Sequence, residues 1–126
     1  MHRSKLAGFI IDCQGDNPGA AAAFWSAALG MEQRSLPGAE GERYVRLLDA
    51  QHGLHVEVQA VEHASRVHLD IETDDIEAEV ARLEALGAKR VGQVHSWCVM
   101  QAPTGQRFCV VGKCTPAFDA TANRWP

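Results

Sequence analysis

The chain contains an internal repeat, and this repeat restricts the possible folds more than any other feature of the sequence. A gapless shift of 57 residues places Leu29-Gly30 on Leu86-Gly87 and Ile11 on His68. Each copy has the pattern of one strand, one helix and three further strands. A single copy would leave one apolar face of its sheet exposed, and two copies together can bury that face. The order of elements therefore predicts an α+β fold built from two βαβββ modules.

The first module is predicted over residues 6–60. It begins with an apolar strand over residues 6–13, followed by a helix over residues 20–29 that Asp16 or Asn17 caps and Gly30 ends. The apolar stripe of this helix has helical spacing and consists of Ala21, Phe24, Trp25, Ala28 and Leu29. Strands are then predicted over residues 31–36, 44–48 and 54–60.

The second module is predicted over residues 66–112. It contains a strand over residues 67–72, a helix over residues 74–86 capped by Thr73 or Asp74, and strands over residues 89–94, 97–101 and 106–111. Residues 113–126 form a tail without periodicity, which we expect Phe118 and Trp125 to hold against the surface. The whole chain, residues 1–126, is predicted to be one domain.

Composition excludes several classes of protein. The 126 residues are 46% apolar and 22% charged, which is typical of a globular domain. The net charge of −4, without a basic stripe, argues against a nucleic-acid partner. No apolar run approaches the ~20 residues of a membrane span, and Asp12 interrupts the stretch that could resemble a signal peptide. We therefore expect a cytoplasmic protein that has no membrane partner.

Cys13, Cys98, Cys109 and Cys114 are separated by 85, 11 and 5 residues, so the chain lacks the Cys-x-x-Cys pair of zinc fingers and thioredoxins. In a reducing compartment we expect free thiols that pack as small apolar side chains.

Three segments, in register with the repeat, resemble a known family. They are Ala23-Phe-Trp-Ser-Ala-Ala-Leu-Gly30, His68-Leu-Asp-Ile-Glu-Thr-Asp-Asp75 and Ala102-Pro-Thr-Gly-Gln-Arg-Phe-Cys-Val-Val111. Over residues 6–111 the chain is similar to the vicinal oxygen chelate superfamily, which includes glyoxalase I, bleomycin-resistance proteins, fosfomycin-resistance enzymes and extradiol dioxygenases. It looks most like the small glyoxalase-like proteins.

The resemblance implies that curved sheets form a cleft. In metal-dependent members this cleft holds four ligands, from the first, fourth, fifth and eighth strands. The fourth-strand Glu matches Glu57, the fifth-strand His matches His68, and the eighth-strand Glu matches Cys109. The first-strand ligand falls among Phe9, Ile10 and Ile11, none of which can bind a metal. The implied cofactor is one divalent ion (Zn, Ni, Mn or Fe), or none where the metal site has been lost.

Four further residues are candidates for lining the cleft. His55 and Gln59 alternate with the apolar positions of their strand and so share the face of Glu57. Asp70 follows His68 by two residues, and Arg107 precedes Cys109 by two. Arg107 could bind a carboxylate or a phosphate through two parallel hydrogen bonds.

Three functions remain open. The first is a lyase, isomerase or dioxygenase acting on a small oxygenated molecule, with Glu57 as ligand or general base, His68 as ligand or acid, and Cys109 as a third ligand. The second is a protein that sequesters a small molecule without catalysis or metal, as bleomycin-resistance proteins do. The third is a metal-free catalyst in which Glu57 and His68 form an acid–base pair. The resemblance also implies a homodimer.

Overall fold

The computed structural model describes every residue from Met1 to Pro126 and confirms the predicted α+β fold. The elements in chain order are β1 (His2–Gln14), α1 (Pro18–Leu29), β2 (Glu32–Ser35), a 3-10 helix (Gly38–Glu42), β3 (Tyr44–Leu48), β4 (His55–Val61), β5 (Arg66–Thr73), α2 (Ile76–Ala85), β6 (Lys89–Val94), β7 (Trp97–Gln101), β8 (Arg107–Gly112), α3 (Phe118–Thr121) and β9 (Asn123–Trp125). Strand, helix and three strands thus occur twice, in the predicted order. None of the helices has the length and apolar content needed to cross a membrane.

The chain divides into two compact units. Residues 9–67 form what we call the N-terminal unit, and residues 1–8 together with residues 68–126 form the C-terminal unit. The two parts of β1 therefore belong to different units. The prediction of one domain over residues 1–126, with modules over residues 6–60 and 66–112, stays a prediction.

The N-terminal unit has α1 on one face of its strands. β2, β3 and β4 are antiparallel neighbours in that order, and β1 lies next to β4. The apolar side chains that alternate along these strands pack with the helix, and this core consists of Ile11, Ala22, Val45, Leu47, Val56 and Val58. Because successive side chains of a strand point to opposite faces, the polar residues between these core positions lie on the other face.

The C-terminal unit repeats this arrangement with α2. Its strand order is β5-β8-β7-β6, in which β5 and β8 are parallel and the other pairs are antiparallel. The core under α2 consists of Val80, Leu83, Ala88, Cys98, Met100 and Val110. Ile71 and Phe108 pack against this core, so His68, Asp70 and Cys109, which alternate with them, lie on the face away from α2.

The C-terminal tail is held in place, as the sequence predicts. Phe118 is almost fully buried, and β9 pairs antiparallel with the start of β1. The Trp125 ring lies 3.9 Å from the guanidinium carbon of Arg82, and the indole N–H of Trp125 donates to Ser4 Oγ at 2.8 Å. The fully buried carboxylate of Glu72 accepts hydrogen bonds from the backbone N–H groups of Cys114 and Thr115.

Two local predictions are wrong, and both have a physical reason. The cap of α2 is Asp75, whose carboxylate accepts from the Ala78 N–H, whereas Asp74 instead accepts from the backbone and guanidinium of Arg3. In α1 Ala22 is buried and Ala21 and Trp25 pack on the core, but Phe24 is 62% exposed, with its ring edge-on to Trp25. The predicted stripe therefore contacts the core through only part of its residues.

Candidate functional site

Strands β5 and β8 bring three potential metal ligands together in the C-terminal unit. In this parallel pair Asp70 lies opposite Cys109, between Leu69 opposite Phe108 and Ile71 opposite Val110. His68 precedes Asp70 by two residues and therefore shares its face. Since backbone hydrogen bonds of a parallel ladder fix this register, the three side chains are placed by the sheet itself and not by a loop.

The geometry of this group, which we call the His–Asp–Cys cluster (His68, Asp70 and Cys109), is compact. One potential ligand atom from each of the three residues lies within 4.8 Å of the others. His68 Nε2 lies 3.6 Å from Asp70 Oδ1, and the two side chains are only 13% and 11% exposed. The cluster thus combines a nitrogen, an oxygen and a sulfur donor in a largely buried position.

This donor set fits zinc. Zinc binds imidazole nitrogen, carboxylate oxygen and thiolate sulfur at about 2.0–2.3 Å in tetrahedral geometry, which puts its ligand atoms about 3.3–3.8 Å apart. The 3.6 Å separation of His68 Nε2 and Asp70 Oδ1 falls in that range. Three protein ligands leave one tetrahedral position for water or substrate, as in catalytic zinc sites. Nickel, manganese and ferrous iron accept the nitrogen and oxygen donors, but a thiolate favours zinc among these ions.

Arg107 extends the cluster toward solvent. It precedes Cys109 by two residues at the start of β8, shares its face, and is exposed. A guanidinium at this position can donate hydrogen bonds to an oxyanion bound beside the His–Asp–Cys cluster.

The polar residues predicted on β4 lie in the N-terminal unit. The His55 ring nitrogen Nε2 is 3.0 Å from Glu57 Oε1, and both side chains are largely buried. Gln59 Nε2 donates to the Tyr44 hydroxyl at 2.9 Å. The carboxylate of Glu57 is therefore positioned by a neighbouring ring on its own strand. The assignment of Glu57 as a metal ligand and catalytic residue stays a prediction.

The three candidate positions on β1 are placed differently from one another. Phe9 and Ile11 pack on the core beneath α1, and Ile10 is buried on the opposite face. Of the three, only Ile10 has its side chain on the face of β1 that points away from this core. An isoleucine has no atom that can bind a metal.

Asp70 is predicted from the sequence as a cleft residue, and its role as a possible metal ligand emerges only from the structure. The available signal was its spacing of two residues from His68, which puts both on one face of a strand. What the sequence could not show is the parallel register that sets Asp70 opposite Cys109.

Outside the cluster, the side chain of Cys98 is buried and that of Cys13 is half-buried. Burial raises the pKa of Cys98 and of Cys13, which keeps both side chains as neutral thiols near neutral pH. All four cysteines are free of disulfides, and Cys98 belongs to the core under α2. Cys98 and Cys13, which packs against the core under α1, thus have the predicted packing role, whereas Cys114 is exposed and departs from that prediction.

Comparison with known proteins places the whole arrangement in a family. Residues 8–111 match the family described as glyoxalase-like domain. No curated protein sequence matches the chain.

Solved structures resemble the fold across most of the chain. Methylmalonyl-CoA epimerase from Mycobacterium tuberculosis matches with a TM-score of 0.64 at 13% identity, covering 92% of this chain and 91% of that one. A methylmalonyl-CoA epimerase from Streptomyces coelicolor, in complex with 2-nitronate-propionyl-CoA, has a TM-score of 0.57 at 14% identity, with coverages of 88% and 96%. An NAD-dependent benzaldehyde dehydrogenase from Legionella pneumophila has a TM-score of 0.60 at 11% identity, with coverages of 83% and 99%. At these identities the likeness concerns the fold alone.

Proposed function

Because the chain belongs to the glyoxalase-like domain family of the vicinal oxygen chelate superfamily, we propose that it is a metal-dependent enzyme acting on a small oxygenated molecule. The reaction is of the lyase, isomerase or dioxygenase type that the resemblance implies. The observation that carries this proposal is the His–Asp–Cys cluster, whose potential ligand atoms lie within 4.8 Å of one another. Fold membership alone would not suffice, since one fold supports many chemistries.

Each residue of the cluster has a role in this proposal. His68 would bind the ion through a ring nitrogen, Asp70 through a carboxylate oxygen and Cys109 through its thiolate. A divalent ion in such a site supplies Lewis-acid stabilisation of negative charge on substrate oxygens. Low exposure of His68 and Asp70 reduces the competing solvation by water, which strengthens electrostatic interactions at the site. Arg107, at the exposed edge, would donate hydrogen bonds to a substrate oxygen.

The ligand set differs from the one that the family resemblance implies. In the proposed site Asp70 takes the place of the first-strand ligand, because Ile10 cannot bind a metal. Glu57 and His68 stay our candidates for catalytic residues, and His55, Gln59, Asp70 and Arg107 stay candidates for substrate contact. A homodimer is a further proposal from the same resemblance, which sedimentation velocity tests, and a cytoplasmic location is proposed from the composition of the sequence.

Metal content tests the proposed function. Protein without an affinity tag would be incubated with zinc, nickel, manganese or ferrous iron, desalted, and measured by elemental mass spectrometry. We expect close to one zinc ion per chain in the wild type and none in His68→Ala. The matched control His63→Ala should keep the zinc, since the His63 ring is exposed and its one hydrogen bond is to the backbone carbonyl of Ala64. Retention of zinc by His68→Ala would contradict the proposal, as would wild-type protein without metal in every condition.

A second function has a specific observation in its favour. Ile10 is buried and has no metal-binding atom, so the first strand supplies no metal ligand. This agrees with a protein that binds a small molecule without metal or catalysis. The same measurement separates the two functions. Absence of metal would favour a protein that sequesters a small molecule or a metal-free catalyst, and ligands would then be sought by thermal shift without added ions.

A further inference from the structure

The N-terminal unit carries two arginines directly opposite each other. Arg34 on β2 and Arg46 on β3 are register partners, and so are Arg46 and Glu57 on β4. Partners across antiparallel strands share a face, and like charges in such a pair destabilise the sheet. This face is the one opposite α1, because Val45 and Leu47 on either side of Arg46 belong to the core.

Neither guanidinium of this pair is in direct contact with a carboxylate. Neither Arg34 nor Arg46 forms an ion pair, and the Nε of Arg46 is buried without a hydrogen-bond partner. The nearest carboxylate in register, that of Glu57, is instead hydrogen-bonded to His55 Nε2 at 3.0 Å. A buried donor without a partner loses its hydrogen bonds to water without replacement, so such a group points to a missing acceptor.

A second pair of arginines lies opposite each other in the same chain, and there carboxylates contact one of the guanidinium groups. Arg3 on β1 lies opposite Arg124 on β9. There the guanidinium of Arg3 donates to Asp74 Oδ2 at 3.0 Å and to Asp119 Oδ1 at 3.2 Å. The protein thus supplies carboxylates to the Arg3 pair, and it supplies none to the Arg34 pair.

We propose that Arg34 and Arg46 form a binding site for a carboxylate that belongs to a small-molecule ligand. A guanidinium binds a carboxylate through two parallel hydrogen bonds, which would satisfy Arg46 Nε and separate the two positive charges. Counting the in-register neighbours, two arginines and Glu57 leave one positive charge, which suits a monoanion better than a phosphate dianion. Glu32 is also on this face but is exposed beside Leu48, where solvent screens its charge.

Identification of this ligand as the substrate rests on the proposed function, whereas the anion site itself does not. If the ligand is the substrate, the substrate class is narrowed to small oxygenated molecules that carry a carboxylate. The site needs no metal, so it can be tested independently of the His–Asp–Cys cluster.

The test follows the side-chain Nε–Hε resonances of arginine in ¹H–¹⁵N spectra during titration of wild-type protein. The probes are sodium propionate, its neutral analogue propionamide, and sodium phosphate, all at constant ionic strength. We expect propionate to move the Arg46 resonance with saturation, while propionamide leaves it unchanged and phosphate binds more weakly. Arg46→Met and Arg34→Met should each raise the dissociation constant of propionate by at least about tenfold. The control Arg124→Met, from the other arginine pair, should leave it unchanged.

Three results would overturn the site: an Arg46 resonance that propionate does not move, equal propionate affinity in Arg46→Met, or saturation by phosphate but not by propionate. The wild-type titration gives an answer even if a variant fails to fold. The titration is run with and without zinc. Propionate binding to protein that takes up no zinc would sink the proposed metal function and leave this site standing, and zinc uptake without propionate binding would do the reverse.

Discussion

Asp70 on β5 and Cys109 on β8 are direct partners in a parallel strand pair, and His68 lies on the same face two residues before Asp70. The cluster is thus built from two adjacent strands whose opposite faces pack on the core under α2. Sites held by strands keep their geometry better than sites on loops, because the backbone ladder restricts them. This placement explains how two neighbouring strands can present nitrogen, oxygen and sulfur donors together.

The identification of Asp70 as a ligand leads to a first prediction. Asp70→Asn keeps the size of the side chain but removes its charge, so we expect the affinity for zinc to fall by at least about tenfold. Competition with a chromophoric chelator measures this change. The matched control is Asp75→Asn, since Asn also caps helices well and Asp75 lies outside the cluster. Equal zinc affinity in Asp70→Asn and in the wild type would exclude Asp70 from the ligand set.

A second prediction concerns Glu79, whose carboxylate is fully buried on α2. It accepts a hydrogen bond from His2 Nε2 at 2.7 Å. It also accepts two hydrogen bonds from Arg82, from Nε at 2.9 Å and from Nη2 at 2.7 Å. Burial raises the pKa of Glu79, but the hydrogen bonds from Arg82, His2 and Ser4 outweigh it, so that the pKa lies below its ordinary value of 4.5. Stabilisation by this carboxylate is therefore present above pH 4.5 and is lost as the pH falls through the lowered pKa.

Urea unfolding at several pH values measures this effect. At pH 7 we expect Glu79→Gln to lower the free energy of unfolding by about 1–3 kcal/mol. The difference from the wild type should shrink as the pH falls below 4.5. Glu62→Gln makes the same substitution at an exposed residue and serves as the matched control. A difference between wild type and Glu79→Gln that stays constant down to acid pH would contradict the account.

The third prediction concerns the contact of Trp125 with Arg82 and Ser4. Trp125→Phe keeps an aromatic ring near Arg82 but removes the donor to Ser4 Oγ, and we expect a loss of about 1 kcal/mol in the free energy of unfolding. Trp125→Ala removes both interactions and should cost about 2 kcal/mol. Chemical denaturation of the two variants measures these losses. Equal stability of Trp125→Ala and the wild type would mean that the contacts of Trp125 with Arg82 and Ser4 do not stabilise the C-terminal unit.

The sequence predicted the elements best where alternation and turn residues agree. The strands Tyr44–Leu48, Lys89–Val94 and Trp97–Gln101 have the predicted bounds, since each lies between clear turn or loop residues. Gly30 ends α1 in the left-handed conformation, with φ of 69°, as its lack of a side chain favours. These features depend only on neighbouring residues.

Features that depend on distant residues were not predictable in the same way. β1 starts at His2 and not at Leu6, because β9 pairs with residues His2 to Ser4. Helix α2 is capped by Asp75 because the preceding carboxylate, that of Asp74, is engaged by Arg3. Phe24 has the apolar spacing of a core residue but is exposed, since Ala21, Ala22 and Trp25 are the residues of α1 that pack on the core.

In the candidate site too, local patterns predict some features and pairing between distant residues determines the others. Periodicity places His68 and Asp70 on one face of β5, and the family resemblance adds Cys109. The arrangement of these residues within 4.8 Å of one another needs the parallel pairing of β5 and β8, which local patterns do not encode. The Arg34 and Arg46 pair was not identified for the same reason, because the register of β2 and β3 makes these residues neighbours.

The most direct test of the central claim is the optical absorption spectrum of the protein reconstituted with cobalt(II), a spectroscopic substitute for zinc. If Cys109 is a ligand, the wild-type spectrum contains a thiolate-to-cobalt charge-transfer band together with the visible bands of a tetrahedral ion. We predict that Cys109→Ser loses the charge-transfer band and that Cys114→Ser, on an exposed thiol, keeps it. A wild-type spectrum without that band, or one that Cys109→Ser leaves unchanged, would contradict a metal site formed by His68, Asp70 and Cys109.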